Sequence, residues 1–138
     1  MGNPPVDAGV VMTSRRTASD ARPSMVTHLV LLKPRTDLPL EARRALVDAF
    51  ERASRAIPDV RAVRVGRRLV HGAGYETSSS ESVEYLVLID FDDLAGLQAY
   101  LSHTAHDELG THFNQSVSSA LVFDFEVGDL DALRRLAE

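Results

Sequence analysis

Residues 99–109, AYLSHTAHDEL, gather a tyrosine, two histidines and two carboxylates into eleven positions. Three chemistries use such a set: general acid–base catalysis, metal ligation, and the capping of a helix junction. His106, Leu109, Phe113 and Val117 follow an i, i+3, i+7, i+11 spacing, which places the imidazole on a buried helical stripe. A histidine there needs a partner. Tyr100, projecting from the preceding helix across a kink, can supply one or share a pocket with the ring. In a dry cavity the imidazole can take a proton from carbon next to a carbonyl while the phenol stabilises the enolate oxygen. The non-catalytic alternative is a hydrogen-bonded junction histidine kept for packing. Thr104 as N-cap and Asp107 three residues later form a capping-box pattern, and Asp107 and Glu108 suit a helix N-terminus, so neither carboxylate requires a reaction. His103 and His106 make half a zinc ligand set at most, a helix break would turn their rings apart, and neither HExxH nor HxxEH occurs. No metal site is expected.

The elements that must position these residues follow from periodicity. MVTHLVLLK (25–33) reads as a strand with Val26, His28, Val30 and Leu32 on one face and Thr27, Leu29 and Leu31 on the other. The segment 36–59 reads as a helix capped by Thr36 or Asp37, with Pro39 in its first turn and Pro58 closing it. Ala42, Leu46, Ala49, Phe50, Ala53 and Ile57 form its buried stripe. Residues 60–71 supply a second strand in which Gly66 marks a bulge or bend. GAGYETSSSES is a flexible loop by composition. The third strand, 83–91, sets Val83, Tyr85, Val87, Ile89 and Phe91 against Leu86 and Leu88. Asp92 or Asp93 caps the next helix, whose inner face is Leu94, Leu97 and Leu101 and which continues from Thr104. The fourth strand, LVFDFEV (121–127), alternates Leu121, Phe123, Phe125 and Val127 with Val122, Asp124 and Glu126. Residues 129–138 form a short helix or a frayed tail.

The order βαββαβ predicts an α+β, ferredoxin-like fold: a four-stranded antiparallel sheet with two helices on one face. Strands apolar on both faces then leave the opposite sheet face uncovered, a patch of several hundred Å² that a monomer rarely shows. A homodimer closing sheet against sheet into a barrel-like core is the expected solution.

The chain of 138 residues fits one domain, expected over 25–128, behind a disordered tail over residues 1–24. Translation from Met1, Met12 or Met25 is compatible with that layout. A net charge of −5 and no basic cluster interleaved with aromatics argue against nucleic-acid binding. No run is long and apolar enough for a signal peptide or membrane span, so no membrane partner is expected and the cytoplasm is the default location. The absence of cysteine excludes disulfides, thiolate zinc sites and cysteine nucleophiles. No Gly-rich phosphate cradle or nucleophile elbow is present, so no cofactor is expected.

THLVLLK, the helix ending in IPDV, VRVGR, the run from Gly74 to His106 and the closing LVFDFEV together resemble the stress-responsive α/β-barrel family of dimeric ferredoxin-like proteins. DLAGLQAYLSHTAH carries the family's acidic residue, aromatic and His-x-Ala-His pattern. The family includes stress-induced plant proteins without an agreed catalytic role and a plant polyketide cyclase that performs an aldol condensation without cofactor. The resemblance to that branch implies Tyr100 and His106 as a catalytic pair, with His28 and His103 in the pocket. A pocket histidine of the third strand is replaced here by Tyr85, which forms pocket wall or dimer core. Two functions follow: a cofactor-independent, cyclase-like enzyme on a hydrophobic small molecule, or a non-catalytic homodimeric module for ligand binding or stress-associated interaction.

Overall fold

The computed structural model describes residues 25–78 and 82–138; the tail expected over 1–24 lies outside them. One compact unit spans Met25–Val127, and Gly128–Glu138 is a separate unit. In chain order the elements are β1 (Met25–Pro34), α1 (Leu40–Ala56), β2 (Ala62–Arg67), β3 (Tyr85–Phe91), α2 (Leu94–Ser102), α3 (Thr104–Ser116) and β4 (Val117–Val127). The sheet runs β2-β3-β1-β4 with every neighbouring pair antiparallel. This is the expected ferredoxin-like α+β fold, with its second helix broken in two.

Strand register fixes which side chains share a face. His28 lies opposite Ile89 on β3 and opposite Asp124 on β4, and Val30 opposite Val87 and Val122. Because side chains alternate, Val30, Leu32, Val87, Ile89 and Phe91 all point to one side, where they pack with Leu46, Ala49, Ala53, Ile57, Leu97, Tyr100 and Leu109 of the helical layer. Ala49 and Ala53 are wholly buried on α1, which runs alongside α3, and an Arg52–Glu108 ion pair at 3.0 Å ties the two helices at their surface.

Several local expectations are corrected. α1 begins after Pro39, with no side-chain cap; Asp37 is held instead by the Arg35 guanidinium at 3.2 Å. Gly66 pairs in register with Leu86, so β2 carries no bulge there; the irregularity falls between Lys33 and Pro34, where β1 meets β4. After β2, residues 71–78 are organised around Glu76. Its carboxylate accepts from the His71 and Gly72 amides at 2.9 and 2.7 Å, Gly72 takes a left-handed φ of 93°, and Gly74–Ser78 forms a 3₁₀ turn. The buried side of α2 is Gly96, Leu97 and Tyr100, whereas Leu94 and Leu101 are exposed. In the separate C-terminal unit, Leu130–Ala137 is a 3₁₀ helix capped by Asp129.

Candidate functional site

The site begins at a one-residue break. α2 starts where the Asp93 carboxylate accepts from the Gly96 amide at 2.9 Å, and it ends at Ser102. His103 then adopts extended backbone (φ −76°, ψ 146°) and ends one helix while starting the next. Its ring Nδ1 accepts from the Ala105 amide at 3.0 Å, and its carbonyl accepts from the His106 and Asp107 amides at 3.0 and 3.2 Å. The capping role expected of Thr104 and Asp107 is therefore performed by His103. A ring nitrogen used as an N-cap acceptor is occupied, and among the described residues the His103 ring makes no ring–ring contact.

The break folds α3 back so that His106 comes against Tyr100, their ring centroids 4.8 Å apart and nearly edge to face. Tyr100 is 2% exposed. It also packs on Phe91 of β3 at 5.3 Å and on His28 of β1 at 5.8 Å. Tyr100, His106 and His28 thus converge, each from a different element. Tyr100 lies in contact with both imidazoles, and among the described residues its hydroxyl has no hydrogen-bond partner. Burial pushes that hydroxyl up to about 12, so it remains protonated at neutral pH and can only donate to a developing anion. The His106 imidazole is shifted below its ordinary value by burial first and by His28 second, against smaller opposing effects of Asp107 and the Leu101 carbonyl. It is therefore neutral at pH 7 and able to accept a proton.

Sequence reasoning missed Asp124. Directly opposite His28 in the register, its carboxylate oxygen lies 2.6 Å from His28 Nδ1. The alternation of LVFDFEV set Asp124 on a face with Val122 and Glu126, but only the pairing of β4 with β1 brings it to His28.

Tyr85 is not part of this cluster. It sits opposite Leu32, four residues along β1 from His28, or about 13 Å at strand spacing. There it lines a groove of about 750 Å³ between α1 and the sheet, with Leu32, Leu46, Phe50, Val65 and Val87. None of the rings of Tyr100, His106 or His28 lines that groove. Among the described residues no group of three His, Asp or Glu side chains is placed to hold a metal ion, and no helix is long and apolar enough to cross a membrane.

Solved structures share this architecture. A dimeric ferredoxin-like protein of unknown function from Jannaschia sp. CCS1 is 27% identical with a TM-score of 0.58, over 75% of this chain and 99% of the other. A Dabb family protein from Mesorhizobium loti is 23% identical at a TM-score of 0.58, covering 75% and 97%. The hydroxynitrile lyase of Passiflora edulis is 12% identical at a TM-score of 0.66, covering 78% and 97%, a likeness of fold alone. No curated protein matches the chain. The match of residues 26–127 to the family shows that the chain belongs to the stress responsive A/B barrel domain family.

Proposed function

We propose that the protein is a cofactor-independent, cyclase- or lyase-type enzyme that moves a proton on an apolar, carbonyl-bearing small molecule. The observation that carries this reading is the buried Tyr100 hydroxyl, unpartnered among the described residues and in contact with two imidazoles. A buried hydroxyl without a partner is destabilising by about 1–3 kcal/mol. That expense becomes intelligible if the hydroxyl bonds to substrate. His106 takes the proton from the carbon next to the carbonyl, the electron pair moves onto the carbonyl oxygen, and Tyr100 O–H donates to that oxygen. Such a base contributes about 10²–10⁴-fold. The hydroxynitrile lyase of the same fold is consistent with lyase chemistry on this scaffold.

The acting form in this proposal is a homodimer. Phe123 and Phe125, 50% and 49% exposed, share the sheet face without helices with Leu29, Leu31, Leu86 and Leu88. A second copy covers that face. The separation of the 750 Å³ groove from the rings favours a second reading, in which the groove binds an apolar ligand without turning it over.

Solvent deuterium exchange into acetylacetone, followed by proton NMR, separates the two. Wild-type protein should accelerate exchange above buffer, and Tyr100→Phe and His106→Ala should each remove about 10²-fold or more of that acceleration. Wild-type rates in both variants would sink the enzymatic reading.

A further inference from the structure

The contact between His28 and Asp124 is built in a way the proton-transfer reading does not use. Two acceptors do not approach to 2.6 Å, so a proton lies between His28 Nδ1 and the carboxylate, and the tautomer with that proton on Nδ1 makes His28 the donor. Both residues sit on neighbouring strands, directly opposite in register, so rigid backbone and not a loop fixes their geometry. Exposure is unequal: the His28 side chain is 8% exposed and that of Asp124 43%. The helical layer leaves this side of β4 open, since Val122, next to Asp124 on the same face, is also exposed. The pair therefore runs from water at one end to the Tyr100 ring at the other.

We infer that Asp124 is a positioning residue: by holding the Nδ1 proton it leaves His28 Nε2 as the second proton-handling atom of the site, beside Tyr100 and opposite His106. This inference rests on the proposed function above. His106 removes the proton from carbon and passes it to the free Nε2 of His28, which then delivers it to the product oxygen, so each ring ends the cycle in the form in which it began. The groups facing His28 are Asp124 and, two positions along, Glu126 on β4, Tyr100 on α2 and His106 on α3; β3 offers only Ile89 and Phe91. Asp124 is the group in hydrogen-bond contact with Nδ1.

The test pairs the acetylacetone exchange assay, run as a pH profile, with long-range proton–nitrogen NMR of the histidine rings. Wild-type His28 should show its proton on Nδ1, and Asp124→Ala should abolish that signature. Asp124→Asn should slow exchange by about 10–100-fold and remove one limb of the pH profile. Melting temperature should stay near wild type, because the carboxylate is half-exposed on an edge strand. Adding His28→Gln to Asp124→Asn should slow exchange little further, since the two act as a unit. If Asp124→Asn leaves rate and profile unchanged while His106→Ala abolishes exchange, the positioning role is wrong and the proposed function stands. A proton on Nε2 in wild-type His28 overturns the positioning role by itself. Wild-type exchange no faster than buffer overturns both.

Discussion

Replacing Tyr100 by Phe keeps the ring that packs on Phe91, His28 and His106 and deletes only a hydroxyl that has no partner among the described residues. Removing a buried, unsatisfied polar group does not weaken a fold, so Tyr100→Phe should melt at or above the wild-type temperature in calorimetry while losing the proton-transfer activity. A parallel loss of stability would mean that the hydroxyl serves structure. His106 gives a pH signature of opposite character. Its proton affinity in the folded protein lies below the ordinary histidine value of about 6.5. The unfolded chain therefore binds the extra proton first as pH falls. Stability due to His106 is present above about pH 6.5 and is lost as pH drops below it; His106→Gln should flatten that part of the melting-temperature profile. At this scale the sequence was readable where the signal was helical: the spacing from His106 to Val117 put the imidazole on an inward face, and Tyr100 fell within reach. Asp124 was not readable, because a cross-strand contact between residues 28 and 124 depends on register, which no local pattern encodes.

The junction of α2 and α3 decides where those side chains point, and a single residue makes it. His103 caps α3 through its ring, so His103→Ala should cost about 0.5–2 kcal/mol in denaturant unfolding. His103→Asp, which restores an acceptor at the same place, should recover most of that loss. Recovery of stability together with activity in His103→Asp identifies the residue as a cap; recovered stability with activity still missing would return it to the pocket. Asp93→Ala makes a second test, costing about 1 kcal/mol through the lost bond to the Gly96 amide. The two caps differ in legibility for a physical reason. Asp93 stands directly before an apolar run and has the residue type that N-caps favour. At the second junction a Ser/Thr signal was present in Thr104, one position too late, because His103 already occupies the extended backbone between the helices. The inner face of α2 was misjudged for a related reason. Its buried side uses Gly96, Leu97 and Tyr100, and a pattern read from leucines alone rotates the helix toward Leu94 and Leu101, which face water.

The unit Met25–Val127 has helices over one sheet face, and apolar side chains on both. That imbalance was visible in β1 and β3 as runs with no polar side and in β4 as strict alternation, so the overall fold could be read from the sequence. The groove between α1 and the sheet could not, because it depends on how far α1 lies from β2 and β3. Burying a Phe side chain is worth about 1.5–3 kcal/mol, and a two-fold interface counts Phe123 and Phe125 twice. The open face is interrupted near one end by Thr27, whose hydroxyl donates to Asp90 at 2.7 Å, with Arg64 also reaching Asp90 at 3.5 Å. The leucines and phenylalanines beyond that polar spot are therefore the part that the second copy of the proposed homodimer covers. Substituting Glu for both Phe123 and Phe125 sets four carboxylates into the contact without touching the helix side of the sheet. The double variant should sediment as a single subunit while the wild type sediments as a pair. Its groove and its Tyr100, His106 and His28 rings all come from one chain, so each single subunit should retain them. Wild-type protein that sediments as single subunits at micromolar concentration would remove the homodimer from the proposal and leave the proton-transfer site to be judged by its own variants.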